Sequence, residues 1–416
     1  MWTLLAHKPS SVQSLAAACK RSFDQENSKI NKLARIGCSG KNTNVSRDFH
    51  RLVGKLPFMK KLSITDVDVM AKRGGSETFE PLKLPMLLPH DIVSAIWNIS
   101  HSQFLEMFIG PDGSSGVERF WKSNADEEWF IDHPFRAQIE QEPGRCLPIK
   151  LWGDDAPVTR DLGISVLSMS SVLPRIATMA SRWLLLLTVV GTVFSMDPFF
   201  VLLAWSFECL ARGVHPYNDC NGDAFAATSK RGKLAGSDIC GGYKIMVVWT
   251  TGDLMWLVKF LNLEYYYNSA GEFCHRCFCT KRNGLLNGFI YSKDAPWSLT
   301  KRIHMVYAAT CGHDLSCLKI PGVHLLSTKF DAMHVLFLGL LQWAIGSCFL
   351  DLLNVNLWAA PAGGRWQQRY SAQLRSAYAD FKVWLKQSRL QCRQKRFSLA
   401  RICTQLAHSG NSRVSE

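Results

Sequence analysis

The stretch GGYKIMVVWTTGDLMWLVKFL, residues 241–261, decides the fold of this chain of 416 residues. Its first half is a nearly continuous run of apolar and β-branched residues, which is typical of a strand buried on both faces. The run leads into Asp253, and the apolar residues after it are expected to be helical. The stretch therefore predicts a buried strand, an acid at its end and a helix directly afterwards.

Segments upstream of this stretch predict the strands that accompany it. CLPIKLWGDD (146–155) predicts a buried strand that ends in two acids, LGISVLSMSSV (162–172) a second strand, and RWLLLLTVVGTVF (182–194) a third. DPFFVLLAWSFECLARG (197–213) predicts a helix with Asp197 as N-cap, a proline at its first position and a closing glycine. Three strands, a helix and a fourth strand is the opening order of the RNase H-like fold.

Acids stand at the ends of the first and fourth predicted strands. Asp154 or Asp155 occupies the first place and Asp253 the second. In this order of elements the two ends lie side by side, and such a pair can hold two divalent ions about 4 Å apart for phosphoryl transfer. The alternative is that these acids only cap helices and form turns, as acids at strand ends often do.

The fourteen cysteines include a single tight group, in GEFCHRCFCTKRNG (271–284). Cys274 and Cys277 have the Cys-x2-Cys spacing that supplies half of a tetrahedral zinc site. Candidates for the other half are Cys279, His304, Cys311, His313, Cys317, His324 and His334. The alternative is a turn of reduced cysteines, since the spread of the others indicates a reducing compartment and no disulfide framework.

A third group lies in KIPGVHLLSTKFDAMHVLFLGLLQWAIG (319–346). Asp331 is expected to be the N-cap of a strongly apolar helix, with His334 one turn later. Taken alone, this segment predicts a capped core helix with a hydrogen-bonded histidine.

Together these features resemble the transposases of CACTA-type elements, including the Plavaka group, which are cut-and-paste DDE/D enzymes. The resemblance rests on the acid after the first strand, on TTGDLMWL, on a Gly-x2-Cys-x2-Cys turn and on a Leu-x3-Phe-Asp-x-Met-His helix opening, and it covers roughly residues 148–346. It implies that Asp154 or Asp155 and Asp253 are catalytic acids. It also implies that Cys274 and Cys277 are the thiol pair of an insertion, and that Asp331, Met333 and His334 are a later signature.

The resemblance further implies Mg²⁺ or Mn²⁺ as catalytic ions, with Zn²⁺ in the insertion. DNA at transposon ends would be the partner, and the nucleus the location. The family's third carboxylate lies on a helix well beyond the Met-His pair, but after His334 this chain has only Asp351, Asp380 and Glu416. None of these is a persuasive ligand. We therefore expect a C-terminally truncated copy with severely weakened two-metal catalysis, and leave open whether it is an enzyme.

Charge divides the chain into two basic ends around a slightly acidic middle. Residues 1–61 hold twelve Lys/Arg against three Asp/Glu, and residues 360–416 hold eleven against two, within a net charge of +14. Basic ends suit contacts with nucleic-acid phosphates, although solubility of poorly ordered termini explains them equally well. Candidate phosphate contacts are Lys60, Lys61, Arg393, Lys395 and Arg396.

These features predict five regions along the chain. They are a basic, poorly ordered leader (1–80), a helical subdomain (81–143), an RNase H-like core (146–265), a Cys-x2-Cys insertion (266–330) and a helical, basic C-terminal segment (331–416). The predicted fold class is α/β with a mixed sheet.

Two other kinds of protein remain as alternatives. One is a zinc-stabilised nucleic-acid-binding protein without catalysis. The other is a two-span membrane protein built on Trp183–Leu203 and Val335–Leu353, which have about the length of a span. Because Asp197 and Pro198 interrupt the first of these and Asp351 the second, we expect buried elements and no membrane. A homo-oligomer is compatible with each of these possibilities.

Overall fold

A computed structural model describes most of the chain from Ser63 onward. The described residues are 63–72, 78–157, 163–173, 184–190, 192–263, 271–281, 284–288, 290, 292–311, 315–360, 363–390, 392, 394 and 396–399. They belong to two compact units, which divide between Phe330 and Asp331.

The first unit contains eight strands and nine α-helices among its described residues. The strands are β1 (Ile64–Lys72), β2 (Glu80–Leu87), β3 (Cys146–Pro157), β4 (Gly163–Ser171), β5 (Leu184–Val190), β6 (Thr192–Val193), β7 (Lys244–Gly252) and β8 (Thr328–Phe330). The helices are α1 (Pro89–Ile99), α2 (His101–Phe108), α3 (Gly113–Ser123), α4 (Glu128–Ile131), α5 (Arg136–Gln141), α6 (Asp197–Arg212), α7 (Lys230–Leu234), α8 (Leu254–Phe260) and α9 (His304–Cys311). Short 3₁₀ turns cover Pro143–Arg145, Pro296–Leu299 and Ser316–Lys319.

The main sheet is mixed and has the strand order β5-β4-β3-β7-β8. Strands β3, β4 and β5 pair antiparallel in succession, whereas β7 runs parallel to β3 and β8 parallel to β7. Parallel neighbours need a crossover connection. Helix α6 lies between β6 and β7 along the chain and packs on β7. The fold class is therefore mixed α/β, as predicted.

The predicted strands 146–155 and 162–172, and the strand-acid-helix order of 241–261, are present as β3, β4, β7 and α8. The third predicted strand, 182–194, is different. It is divided into β5 in the main sheet and β6, which pairs with β1 in a second sheet of order β2-β1-β6.

Strand β1 lies in the region that was expected to be a poorly ordered leader. Its side chains alternate, with Val67, Val69 and Ala71 buried and the intervening Asp66 and Asp68 exposed. This period of two is that of a half-buried antiparallel strand. The prediction of a leader reaching residue 80 was therefore wrong from Ile64 onward.

The region 81–143, which was expected to be helical, begins with nearly the whole of strand β2 and becomes helical only from Pro89, as α1 to α5. Large side chains of these helices, among them Phe104, Phe108 and Trp129, are buried in the same apolar core as strands β3 and β7. The helices thus pack on the sheet and share its core.

Helix α6 begins at Asp197, but this residue is not the N-cap that the sequence predicted. Met196 is the N-cap, and Asp197 is the first helical residue. The Asp197 carboxylate accepts hydrogen bonds from Ser195 Oγ (2.7 Å) and from the Ser316 N–H (3.2 Å). The predicted end is present, since Gly213 follows the helix in the left-handed conformation with φ 77°.

The second unit is helical in its described residues. A π-helical segment, Met333–Leu340, continues into α10 (Leu341–Asn354), and α11 (Trp366–Gln387) follows. Helices α10 and α11 meet where Gln373 Nε2 donates to the Leu353 carbonyl (3.1 Å).

One helix among the described residues, Met333–Asn354, is long and apolar enough to cross a membrane, by length and composition alone. The other stretch considered as a span, 183–203, contains β5, β6 and the first half of α6 in its described part. It is therefore no continuous helix.

Candidate functional site

Two Gly-Asp pairs lie side by side at the carboxyl ends of β3 and β7. Gly153 and Gly252 are register partners in the parallel β3–β7 pair, so Asp154 and Asp253 follow at the same height. Each aspartate offers a carboxylate oxygen within 4.8 Å of the other. The sheet therefore brings together two acids that are 99 positions apart in the sequence.

Glycine is required at both places because the Trp256 indole occupies the space of a side chain. A Cβ on Gly153 would lie 1.8 Å from Trp256 Cε2, and a Cβ on Gly252 would lie 2.5 Å from Trp256 Cε3. These distances are far shorter than any van der Waals contact. The repeated Gly-Asp dipeptide was visible in the sequence, but only the register shows that the two copies are neighbours.

Asp253 also caps the helix that begins after it. Its Oδ1 accepts the Trp256 N–H (2.6 Å) at the N-terminus of α8. The alternative interpretation of Asp253 as a helix cap is thus correct for its Oδ1 atom. A carboxylate has about four lone-pair positions on two oxygens, so capping leaves acceptor capacity for a cation.

Asp155 is oriented differently from its neighbour Asp154. Its carboxylate forms an ion pair with Lys259 of α8 and accepts a hydrogen bond from the Ser165 hydroxyl of β4. Adjacent side chains of a strand point to opposite faces, which separates the two acids. Of the two candidates for the first acid, the structure pairs Asp154 with Asp253 and Asp155 with Lys259.

The cysteine turn brings three sulfur atoms together. The Sγ atoms of Cys274, Cys277 and Cys279 lie within 4.8 Å of one another, and Cys277 and Cys279 are buried. Three thiolates supply three of the four ligands of a tetrahedral zinc ion. Cys279, one of seven candidates in the sequence, therefore belongs with the Cys-x2-Cys pair.

The three thiols of this group have different pKa values. The pKa of Cys274 is lowered to about 5, mainly because the Cys279 thiol donates a hydrogen bond to it. The same bond raises the pKa of Cys279, and burial raises that of Cys277. Zinc binding would displace the remaining thiol protons, which makes affinity depend on pH.

Arg302 holds the backbone of the cysteine turn. Its Nε donates to the carbonyls of Cys274 (2.8 Å) and Cys277 (3.2 Å), and its Nη2 pairs with the Glu272 carboxylate at 2.5 Å. Arg302 is 8% exposed, and its guanidinium lies over the Phe278 ring. This support was not recognised in the sequence, where Arg302 stands 25 residues from Cys277.

The other proposed zinc ligands of the first unit have different partners. Cys317 Sγ donates to the Phe260 carbonyl (2.9 Å), and the rings of His304 and His324 contact each other at 4.0 Å between centroids. The Cys311 side chain and His313 lie outside the described part of the structure. Among the described residues, the sulfur group therefore contains three cysteines.

His334 lies in the second unit, where its side chain is hydrogen-bonded to Asp331. Asp331 accepts the Met333 N–H (2.9 Å) and lies 2.8 Å from His334 Nδ1. The N-cap of the π-helical segment is Ala332, without a side-chain cap hydrogen bond, so the N-cap predicted at Asp331 is one residue too early. The α-helical part begins only at Leu341. In the same unit, Asp380 accepts a hydrogen bond from Trp358 Nε1 (2.8 Å).

A further group of possible ligands, Glu128, Asp132 and His324, was missed in the sequence. Two of its members, Asp132 and His324, line a cavity of about 370 Å³. His324 Nδ1 accepts the Leu326 N–H (3.1 Å), so the proton of the neutral ring is on Nε2, which faces Asp132 Oδ2 at 3.2 Å. A protonated nitrogen cannot coordinate a metal, and this group is explained as a hydrogen-bonded pair beside the Glu128–Lys301 ion pair.

Four of the five candidate phosphate contacts, Lys60, Lys61, Arg393 and Lys395, lie outside the described residues. Arg396 is described, and it is exposed. Comparisons with protein-family models, curated proteins and solved structures return no match to this chain. A function for this chain therefore has to be inferred from the geometry and chemistry of its own residues.

Proposed function

We propose that this chain derives from a CACTA-type DDE/D transposase, with an RNase H-like core that binds divalent ions through Asp154 and Asp253. The observation that carries the proposal is the approach of these two carboxylates within 4.8 Å at adjacent strand ends. Two ligand oxygens of one octahedral Mg²⁺ lie about 3–4 Å apart, since each is bound at about 2.1 Å. The pair is therefore compatible with a shared ion.

The strand order supports the same proposal independently. An RNase H-like core needs three antiparallel strands, a crossover helix, and a fourth strand parallel to the first and beside it. The order β5-β4-β3-β7-β8 with α6 as crossover meets this requirement. Because folds host many functions, the strand order supports ancestry and the acid pair supports chemistry.

Divalent ions at such a site activate an attacking hydroxyl and stabilise the leaving oxygen of a DNA phosphodiester. In this chain, Asp154 and Asp253 would hold the ion, and Asp253 would keep its place through its bond to the α8 N-terminus. Among the described residues of the first unit, this group holds two carboxylates, whereas the family uses three. We therefore propose that ion binding is retained and that strand cleavage is strongly weakened. DNA and the nucleus remain the proposed partner and location.

Mn²⁺ binding to the full chain, measured by electron paramagnetic resonance, tests the proposal. Asp154→Asn and Asp253→Asn should each weaken binding by about tenfold or more, since each removes a charged ligand. Asparagine is as good an N-cap as aspartate, so Asp253→Asn separates ion binding from helix capping. Asp155→Asn is the matched control and should have a much smaller effect. Equal effects of all three substitutions would contradict the proposal.

Strand cleavage provides the second measurement. Any Mn²⁺-dependent nicking of duplex DNA by the wild-type chain should disappear in Asp253→Asn. Nicking that survives this substitution would assign the activity to another site or to a contaminant.

A zinc-stabilised nucleic-acid-binding protein is the second candidate, favoured by the three clustered sulfur atoms of Cys274, Cys277 and Cys279. It predicts one tightly bound Zn²⁺ per chain, salt-sensitive DNA binding that is lost with a chelator, and no effect of Asp154→Asn on either. The ancestral transposase predicts Mn²⁺ binding that Asp154→Asn removes.

A further inference from the structure

The Trp256 indole lies against both Gly-Asp pairs at once. Its fused ring system occupies the Cβ positions of Gly153 and Gly252, on two different strands. The residue is 5% exposed. The distance of the start of α8 from the paired ends of β3 and β7 is therefore determined by this ring.

The indole is itself packed against a row of aromatic rings. Phe260 stacks on Trp256 with centroids 4.5 Å apart and an interplanar angle of 16°. Phe260 in turn meets Phe200 of α6 edge-on at 5.3 Å. The row links the crossover helix to the two strand ends, so the indole has little freedom to shift.

The backbone of the same residue holds one of the acids, because the Trp256 N–H donates to Asp253 Oδ1 (2.6 Å). We propose that Trp256 is a positioning residue, whose indole sets the separation of Asp154 and Asp253 and so the ion that they accept. This inference rests on the proposed divalent-ion site and adds a determinant of its geometry.

The expected effect follows from packing and from the demands of each cation. A smaller side chain would leave a gap that the start of α8 tends to close, and Asp253 would move with that helix. Mg²⁺ requires nearly ideal octahedral geometry, whereas Ca²⁺ accepts flexible and irregular coordination. Loss of the indole should therefore weaken Mg²⁺ binding more than Ca²⁺ binding, a discrimination that simple destabilisation would not produce.

The test measures Mg²⁺ and Ca²⁺ affinities of the full chain by competition against Mn²⁺. Trp256→Leu should weaken Mg²⁺ binding about tenfold and Ca²⁺ binding about threefold or less. Trp256→Phe keeps an aromatic ring and should have a smaller effect in the same direction. If Trp256→Leu does not fold, Trp256→Phe provides the same comparison of Mg²⁺ and Ca²⁺ affinities.

The matched control is Trp121→Phe. The Trp121 indole Nε1 donates to the Cys146 carbonyl (2.7 Å), at the opposite end of β3 from Asp154. This variant removes an indole that contacts the same strand and should leave the ratio of Mg²⁺ to Ca²⁺ affinity unchanged.

A double-mutant cycle tests the steric part of the inference. Gly153→Ala should weaken Mg²⁺ binding strongly in the wild-type chain but much less beside Trp256→Leu, because the clash requires the indole. Additive effects would overturn the inference.

The remaining outcomes separate this inference from the proposed function. If the acid variants lose Mn²⁺ but Trp256→Leu and Trp256→Phe keep the wild-type Mg²⁺/Ca²⁺ ratio, only the positioning role is overturned. If the wild-type chain binds no Mn²⁺, or binds it equally well after Asp154→Asn, the proposed function fails and this inference fails with it.

Discussion

The lack of a side chain at Gly153 is required by packing, and the cost of adding one can be measured. Gly153→Ala would place a methyl group 1.8 Å from a ring carbon of Trp256, which is held by Phe260. We expect a loss of about 1–3 kcal/mol in the free energy of unfolding, the usual range for overpacking a core. Urea denaturation followed by far-ultraviolet circular dichroism measures it.

Gly144→Ala is the matched control for this substitution. Its Cβ would lie 2.8 Å from Glu118 Oε1, the far end of a flexible side chain that can move away. The control should change stability by about 0.5 kcal/mol or less, as surface substitutions usually do. Equal losses in the two variants would contradict the steric account of Gly153.

The choice between Asp154 and Asp155 shows where single residues escape prediction. The sequence indicated that one of the two should meet Asp253, because acids ended both strands. Which one does so depends on the face of β3 that each occupies, and the register against β7 shifts between Ile149 and Lys150. It depends also on Lys259, about a hundred positions later, which pairs with Asp155. Neither the register shift nor the ion pair with Lys259 produces a local pattern in the sequence.

Among the elements, those with a long apolar run and clear boundary residues were predictable. Strand β7 and helix α6 end close to their predicted limits, since Asp253 and Gly213 mark their ends chemically. Strand β1 was missed although its side chains alternate, because Asp66 and Asp68 on its exposed face made the segment resemble a polar leader. The division of the third strand depends on pairing of β6 with β1, a long-range contact that no local propensity encodes.

The cysteine turn is the element whose support can be removed most selectively. Arg302→Gln withdraws the donors of the Cys274 and Cys277 carbonyls and leaves Glu272 without its partner. Partners beyond the ligands themselves affect metal affinity by about 10–100-fold, and we expect a loss of Zn²⁺ affinity in that range. Competition with a chromophoric chelator measures it.

Lys301→Gln is the control for the cysteine turn. Lys301 adjoins Arg302 in sequence but is 59% exposed and pairs with Glu128, outside the turn. It should leave Zn²⁺ affinity within about twofold, since exposed ion pairs contribute little. If Arg302→Gln also leaves the affinity unchanged, the turn does not depend on this support for metal binding.

At the scale of the whole molecule, burial of neutral histidines predicts sensitivity to acid. Burial lowers the pKa values of His133, His275 and His304 to about 4, and it also lowers those of His90, His215 and His324. Unfolding returns each ring to a pKa near 6.5, so the unfolded chain binds more protons in this range. The contribution of these histidines to stability should therefore be complete above about pH 6.5 and fall as the pH decreases toward 4.

Other groups do not reverse the sign of this dependence. Cys274, with its pKa lowered to about 5, adds a dependence of the same sign at higher pH. Asp91 acts in the opposite direction, because burial raises its pKa despite the nearby Arg231, but it is a single group against six histidines. The free energy of unfolding, measured in urea at several pH values between about 4.5 and 7.5, should thus rise with pH.

A single substitution tests the contribution of one buried ring. His133→Gln keeps a donor for the Val247 carbonyl that His133 Nε2 faces at 3.3 Å. It should reduce the slope by up to about 1.4 kcal/mol per pH unit, the contribution of one proton. A free energy of unfolding that is constant from about pH 7 to 4.5 would show that these rings are not buried as neutral groups in solution.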